Sequence, residues 1–176
     1  MTKTQYKKKM LWVDLIILIV LLLADQATKL IVKYYYMDKN VTFIPKIISI
    51  RFQKNTGGPW GILKEQSFLF VFVALVIFFS IIYIIIKMPD KKKYTALHIV
   101  FSGISAGICG NVTDRLLHGY VIDFISFDSI TFPIFNLADV FVTIFSLILI
   151  FLFIFKYKEN DLLFMDIKQK KYRELK

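Results

Sequence analysis

Four long apolar stretches constrain this chain more than any other feature. A helix needs about 20 mainly apolar residues to cross a bilayer, and stretches of that length lie at 11–32, 68–86, 94–112 and 135–155. Polar loops join them, whereas a membrane barrel would show alternating strands of about ten residues. The pattern predicts an all-α membrane protein with four transmembrane helices.

Composition excludes several other classes of protein. The chain is 57% hydrophobic and 20% charged, whereas soluble domains are about 45–50% apolar and about 25% charged. Disordered chains are poor in apolar residues. One Cys cannot form an internal disulfide, and two His with one Cys are too few for most zinc sites.

The distribution of basic residues predicts the orientation. Fifteen of the 23 Lys and Arg lie before the first stretch, between the second and third, or after the fourth, and five acids accompany them. These segments therefore carry the whole net charge of +10. Because basic loops stay cytoplasmic, we expect both termini inside, with 156–176 as a cytoplasmic tail of a single membrane domain over 1–176. The charge reflects topology, and we expect no nucleic-acid partner.

The loops at about 33–67 and 113–134 must then face the outside. The ISIRFQ segment at 48–53 and the segment at 121–127 alternate with the period of two that is typical of strands. We therefore expect a small extracytoplasmic β-containing cap. The lysines and apolar run at the N-terminus resemble a secretory signal peptide, but Asp14 interrupts the run and the apolar pattern continues to Val32. A retained first span is the prediction.

Polar residues inside apolar spans mark structure or function. Asp25 and Lys29 are four residues apart and share a helix face, which favours a structural ion pair. Gly103 and Gly107 form a GxxxG pair, which favours close helix packing. Asp14 and His98 lie near the inner ends of their spans, where we expect interfacial charges.

Further polar residues cluster at the predicted outer ends of the third and fourth spans. Asn111, Asp114 and Arg115 fall on one helical face, and so do Asn136 and Asp139. Asn136 is a good N-cap residue, which leaves Asp139 without a need to act as one. Asp123 lies in the apolar strand at 121–127. The sequence therefore predicts that Asp123 and Asp139 come close at the outer face.

Two neighbouring carboxylates cannot comfortably both ionise, so one holds a proton while the other can act as a base. Such a pair suits peptide hydrolysis. A proton- or cation-coupled transporter using the same acids is the alternative, although its charged groups would be expected at midplane. A structural subunit with interfacial ion pairs and a metallopeptidase using His118 are further alternatives; the sequence has no HExxH.

Four blocks of the sequence form a specific combination: DQATK at 25–29, NTGGPWGI at 55–62, GNVTDR at 110–115 and FNLAD at 135–139. Together with VIDF at 121–124, they resemble the bacterial lipoprotein signal peptidase (signal peptidase II) family. The resemblance implies an intramembrane aspartyl endopeptidase of the bacterial cytoplasmic membrane, with Asp123 and Asp139 as its catalytic pair. Its substrate would be a prolipoprotein cut just before a Cys that carries diacylglycerol.

The resemblance also implies roles for other residues. Substrate binding falls to Asn55, Asn111, Arg115 and Asn136, while Asp114, Asp25 and Lys29 support the site. We expect no metal or other cofactor, and a monomer whose partners are lipidated precursors and membrane lipid. The family usually has Ala-Ala after the glycine that follows Asn55, whereas Gly58 and Pro59 stand here, so the local loop geometry differs.

Overall fold

The computed structural model describes residues 3–37, 39–57 and 66–165. The Gly58–Pro59 departure lies outside the described residues. The elements in chain order are the helix α1 (Lys3–Tyr35), the strands β1 (Asn40–Ile44) and β2 (Ile48–Asn55), the helices α2 (Ser67–Lys87) and α3 (Thr95–His118), the strand β3 (Val121–Phe127), and the helices α4 (Leu137–Phe155) and α5 (Glu159–Leu162).

Four of these helices are long and apolar enough to cross a membrane, so the predicted class is confirmed. Their limits differ most from the expected ones at two ends. Helix α1 begins at Lys3, and α3 continues to His118, well past the expected end at 112. Gly119 ends α3 with a φ of 79°, a left-handed conformation that glycine adopts without the steric cost that a Cβ imposes.

Helix α3 is the centre of the bundle. In the most apolar 18-residue stretch of α3, 67% of the residues are buried. In the corresponding stretches of the other three spans the buried share is 11–17%. A Cβ at Gly103 would collide with the Phe145 ring, and one at Gly107 would lie 2.5 Å from the Ala138 carbonyl oxygen. The GxxxG pair therefore lets α4 approach α3 closely, as its spacing predicts.

A three-stranded antiparallel sheet in the order β1-β2-β3 covers one end of the bundle. Its apolar contacts with the end of α1 are made by Val32, Ile122 and Phe124. Phe135, just before α4, pairs with Ile125 as an isolated bridge. This pairing brings the start of α4 beside β3, so residues 123 and 139 can meet at the sheet end.

Two expectations for the opposite end of the bundle were wrong. Asp14 and His98 are buried rather than interfacial, with 7% and 2% of their surfaces exposed. His98 Nδ1 lies 2.7 Å from Asp14 Oδ2, and Ser102 Oγ donates to Asp14 Oδ1 at 2.9 Å. Burying a charged group without partners is costly. Here Asp14 of α1 and His98 of α3 are partners in the interface between the two helices.

Of the expected tail at 156–176, residues 156–165 pack against the bundle, and the remainder lies outside the described residues. Tyr157 is buried, its ring stacks on Tyr94 with centroids 5.9 Å apart, and its hydroxyl donates to the Lys93 carbonyl. Lys93 Nζ lies 2.6 Å from Asp161 Oδ2. The segment 156–165 therefore packs against the bundle because it brings its own aromatic and apolar side chains.

Candidate functional site

Asp123 lies on β3 with 2% of its surface exposed. Its Oδ2 accepts a hydrogen bond from Asn55 Nδ2 at 2.8 Å, and its Oδ1 accepts one from Asn136 Nδ2 at 2.6 Å. Burial, followed by the charge of nearby Asp139, raises the pKa of Asp123 to about 7. The hydrogen bonds from the Asn55 and Asn136 side chains oppose this rise in pKa without cancelling it. Asp123 is therefore poised to hold a proton at neutral pH.

Asp139 lies in the first turn of α4 and belongs to a capping box. Its Oδ2 accepts from the Asn136 backbone N–H at 3.1 Å, while its backbone N–H donates to Asn136 Oδ1 at 3.0 Å. The expectation that Asn136 leaves Asp139 without a capping role was wrong, because the cap is reciprocal. The other oxygen, Oδ1, accepts from Asn111 Nδ2 at 2.7 Å.

The orientations of the three asparagine amides are fixed by donors to their oxygens. The Asn136 oxygen takes the Asp139 N–H, and the Asn55 oxygen takes the Gly57 N–H at 3.0 Å. The Asn111 oxygen takes Lys29 Nζ at 3.1 Å and Asn136 Nδ2 at 3.0 Å. Since each amide has one acceptor and one donor end, all three NH₂ groups must point toward Asp123 or Asp139.

Lys29 is the centre of the charged support beneath this pair. Its Nζ lies 2.8 Å from Asp25 Oδ2 and 3.0 Å from Asp114 Oδ2, and all three side chains are at most 1% exposed. The predicted ion pair of Asp25 and Lys29 is therefore present, with Asp114 as a second acid.

Each of these two acids also holds the chain next to one member of the pair. Asp25 Oδ1 accepts from the Ala138 N–H at 2.9 Å, and Asp114 Oδ2 accepts from the Ile122 N–H at 3.0 Å. Ala138 and Ile122 directly precede Asp139 and Asp123. The charged cluster therefore fixes the backbone at both carboxylates.

Gln26, which the sequence offers only within the DQATK block, has a role that was not predicted. Its Nε2 donates to Asp114 Oδ1 at 3.0 Å, and to Asp25 Oδ2 and the Gly110 carbonyl at 3.2 Å each. The available signal was a polar amide beside Asp25 in an apolar span, since such groups need partners in lipid. Gln26 therefore bridges Asp25 and Asp114, the same two acids that Lys29 contacts.

Asp123 and Asp139 line one cavity of about 660 Å³. Its walls come from α2 and α4, and Ile108, Asn111 and Arg115 of α3 line it between them. Ile77 and Ile144 on the two walls are 46% and 49% exposed. The cavity is therefore a groove, open along the apolar surface between α2 and α4, with the two carboxylates at its sheet end.

Arg115 faces this groove beside the pair. Its Nη2 donates to the Gly57 carbonyl at 3.2 Å, and its Nη1 donates to the Asn111 carbonyl at 3.4 Å. The structure thus brings Asn55, Asn111, Arg115 and Asn136 around the two carboxylates, while Asp25, Lys29 and Asp114 lie behind them. Two carboxyl groups that line one cavity, one of them with a raised pKa, can hold a proton on one group and leave the other as a base.

Comparisons with known proteins show which family the chain is similar to. The family described as "Signal peptidase (SPase) II" matches residues 17–155. A lipoprotein signal peptidase of Brevibacillus brevis is 34% identical over 135 residues, which cover 76% of this chain and 89% of that protein. One from Streptococcus pyogenes is 35% identical over 158 residues, covering 88% and 97%.

The fold has a close match among solved structures. One described as "Bacterial membrane enzyme structure by the in meso method at 1.9 A resolution" superposes with a TM-score of 0.73 at 29% identity, covering 83% of this chain and 94% of that one. None of these similarities supports a transporter.

Proposed function

This chain belongs to the signal peptidase II family, and on that premise we propose that it removes signal peptides from lipoprotein precursors by an aspartic mechanism. Asp123 and Asp139 form the catalytic pair. The observation that carries the proposal is that both carboxylates lie in one groove, with amide donors aimed at each of them. No metal or other cofactor takes part.

Asp139 is the base in the resting enzyme. It lies in the first turn of α4, where the helix dipole and the hydrogen bonds from the Asn136 N–H and the Asn111 amide favour an ionised carboxylate. Asp123 is the proton carrier, because burial and the charge of Asp139 raise its pKa to about 7. The local environments therefore give two chemically identical groups different protonation states.

Hydrolysis then proceeds in two steps. Asp139 takes a proton from water as the oxygen attacks the scissile carbonyl carbon, and Asp123 gives its proton to the carbonyl oxygen. In the second step Asp139 passes its proton to the departing nitrogen, and Asp123 regains one from a hydroxyl group of the intermediate as the C–N bond breaks. The products are a free carboxyl group and a free amine, and both aspartates return to their starting states.

The groove suits a peptide that lies in lipid. An extended chain brings unpaired carbonyl and N–H groups that must be satisfied there, and Arg115 with the three asparagines supplies donors and acceptors. The apolar walls from Phe70 to Ile77 on α2 follow about 10 Å of helix axis. We place the signal peptide along these walls and the scissile bond at the carboxylates.

We place the sheet end at the outer face of the bacterial cytoplasmic membrane and both termini inside. The basic loop that contains Lys91–Lys93 lies at the opposite end, as cytoplasmic loops require. A signal peptide enters from the inside, so its cleavage site reaches the outer interface, where water is available. The substrate carries diacylglycerol on the Cys that follows the scissile bond, and the enzyme acts as a monomer.

The test uses purified protein and a precursor with or without the diacylglyceryl group, read by gel shift. We expect wild type and the D128N variant to cleave only the lipidated precursor, while D123N leaves it intact. Asp128 is the matched control because it is an acid just after β3 that pairs with Arg51 and Ser49. Cleavage by D123N, or failure of the wild type, contradicts the proposal.

A further inference from the structure

The Arg115 guanidinium is held only loosely by its hydrogen bonds. At 3.2 and 3.4 Å, both bonds are longer than the usual 2.9–3.0 Å. A third contact is made by the Phe70 ring, whose centroid lies 5.2 Å from Arg115 Cζ. This distance is within the range of about 6 Å over which a cation is attracted to an aromatic face.

Phe70 lies in the sheet-end half of α2, where its neighbour Val71 is buried. The far end of α2 joins the main core through Ile81 and Ile85, and Lys7 Nζ donates to the Ile86 carbonyl. The middle of α2 forms the groove wall with Val73, Ala74 and Ile77. Among the residues that the structure describes, the Phe70–Arg115 contact is the only electrostatic one between the sheet-end half of α2 and the rest of the chain.

Arg115 in turn connects this helix to the catalytic pair. It contacts the carbonyl groups of Gly57 and Asn111, and the neighbouring Asn55 and Asn111 amides donate to Asp123 and Asp139. A change in the position of the guanidinium would therefore alter both the wall and the donors around the substrate.

We propose that Phe70 is a positioning residue for substrate binding: its ring holds the Arg115 guanidinium and, through it, sets the separation of the α2 and α4 walls at the catalytic end of the groove. The proposal rests on the function proposed above, since it assumes that the groove receives the precursor. An aromatic face is required, because an aliphatic side chain of similar size fills the space but does not attract a cation.

The experiment compares F70L and F70Y with wild type in cleavage of the lipidated precursor. A cation–π contact of about 1 kcal/mol corresponds to about a fivefold change in binding. We expect F70L to raise KM about fivefold while its kcat stays within twofold of wild type. We expect F70Y, which keeps an aromatic ring, to have the wild-type KM. F68L is the matched control, because Phe68 lies two residues away on the same helix and is 83% exposed.

A double-variant cycle separates positioning from packing. In an R115Q background, where the cation is absent, F70L should raise KM no further. The proposal is overturned if F70L behaves like F68L, if F70L lowers kcat and thermal stability instead of raising KM, or if its effect persists undiminished with R115Q. Failure of the proposed function has a different signature, since D123N would then cleave the precursor in the same assay.

Discussion

The backbone N–H of Ala138 donates to the Asp25 carboxylate at 2.9 Å, across 113 positions of the chain. This bond ties the first transmembrane helix to the turn that presents Asp139. Ile122, just before Asp123, is held in the same way by Asp114. Both catalytic candidates thus follow a residue whose N–H is bound by a buried acid, and Lys29 neutralises part of the charge of the two acids.

Gly110 makes room for this arrangement, because a Cβ there would collide with Asp25 Oδ2. We expect G110A to displace the Asp25 carboxylate, to cost about 1–3 kcal/mol of stability through overpacking, and to reduce cleavage at least tenfold. G119A is the control: its site has open space and a φ of 79°, so it should cost about 1 kcal/mol through backbone strain alone and retain activity. Thermal melts in detergent and initial cleavage rates measure both effects, and an active, stable G110A would contradict this account.

Lys29 lies between two buried acids, and K29M leaves both without their cation. Removing one partner of a buried ion pair typically costs about 3–5 kcal/mol, so we expect K29M to melt at a markedly lower temperature. K33M, one helical turn further along α1 at a half-buried lysine near His118, should change the melting temperature little. Equal melting temperatures for the two variants would show that Lys29 does not stabilise the acids.

Much of the ion pairing and helix packing behind the site could be predicted from the sequence, because it follows helical periodicity. Asp25 and Lys29 are one turn apart, and Gly103 and Gly107 share the face that α4 approaches. The lengths of the four apolar stretches likewise predicted four spans, because helices of that length satisfy their own backbone hydrogen bonds in lipid.

Contacts between distant segments could not be predicted. His98 and Asp14 are 84 positions apart, and their burial depends on how α1 and α3 are aligned. Phe70 has no periodicity that pairs it with Arg115, and its role follows only from the placement of α2. The reciprocal cap of Asn136 and Asp139 depends on side-chain orientation, which residue spacing alone does not determine.

Asn136 offers a test of the amide donors. N136D keeps an oxygen to cap the Asp139 N–H but replaces the NH₂ group that donates to Asp123 Oδ1 with a second carboxylate oxygen. Leaving a buried acceptor without its donor costs about 1–3 kcal/mol, so we expect kcat to fall about 10–100-fold. N40D, on the exposed strand β1, is the control for the added charge. Wild-type kcat in N136D would mean that this donor is dispensable.

The pKa of Asp123 predicts a pH dependence of cleavage. Since Asp123 must carry a proton and its pKa in the free enzyme is raised to about 7, kcat/KM should fall about tenfold per pH unit well above pH 7. If kcat/KM stayed constant up to pH 9 while the chemical step remained rate-limiting, this role of Asp123 would be contradicted.

The same pKa has a consequence for stability. Because the folded pKa lies above the ordinary value of 3.8, the folded state binds the proton more tightly than the unfolded state does. Stability should therefore fall as the pH rises from about 4 to about 7. When melting temperatures are measured over this pH range, D123N should show a smaller decrease than the wild type, whereas D128N should show the same decrease.

The most direct test of the catalytic pair is the single-turnover cleavage rate of D123N, D139N and the double variant on the lipidated precursor. Groups that act as one unit lose nearly everything with the first substitution. We predict that each single variant is slowed at least about a thousandfold and that the double variant is no slower than the singles. Near-wild-type cleavage by either single variant, or losses that multiply in the double variant, would contradict a shared mechanism of Asp123 and Asp139.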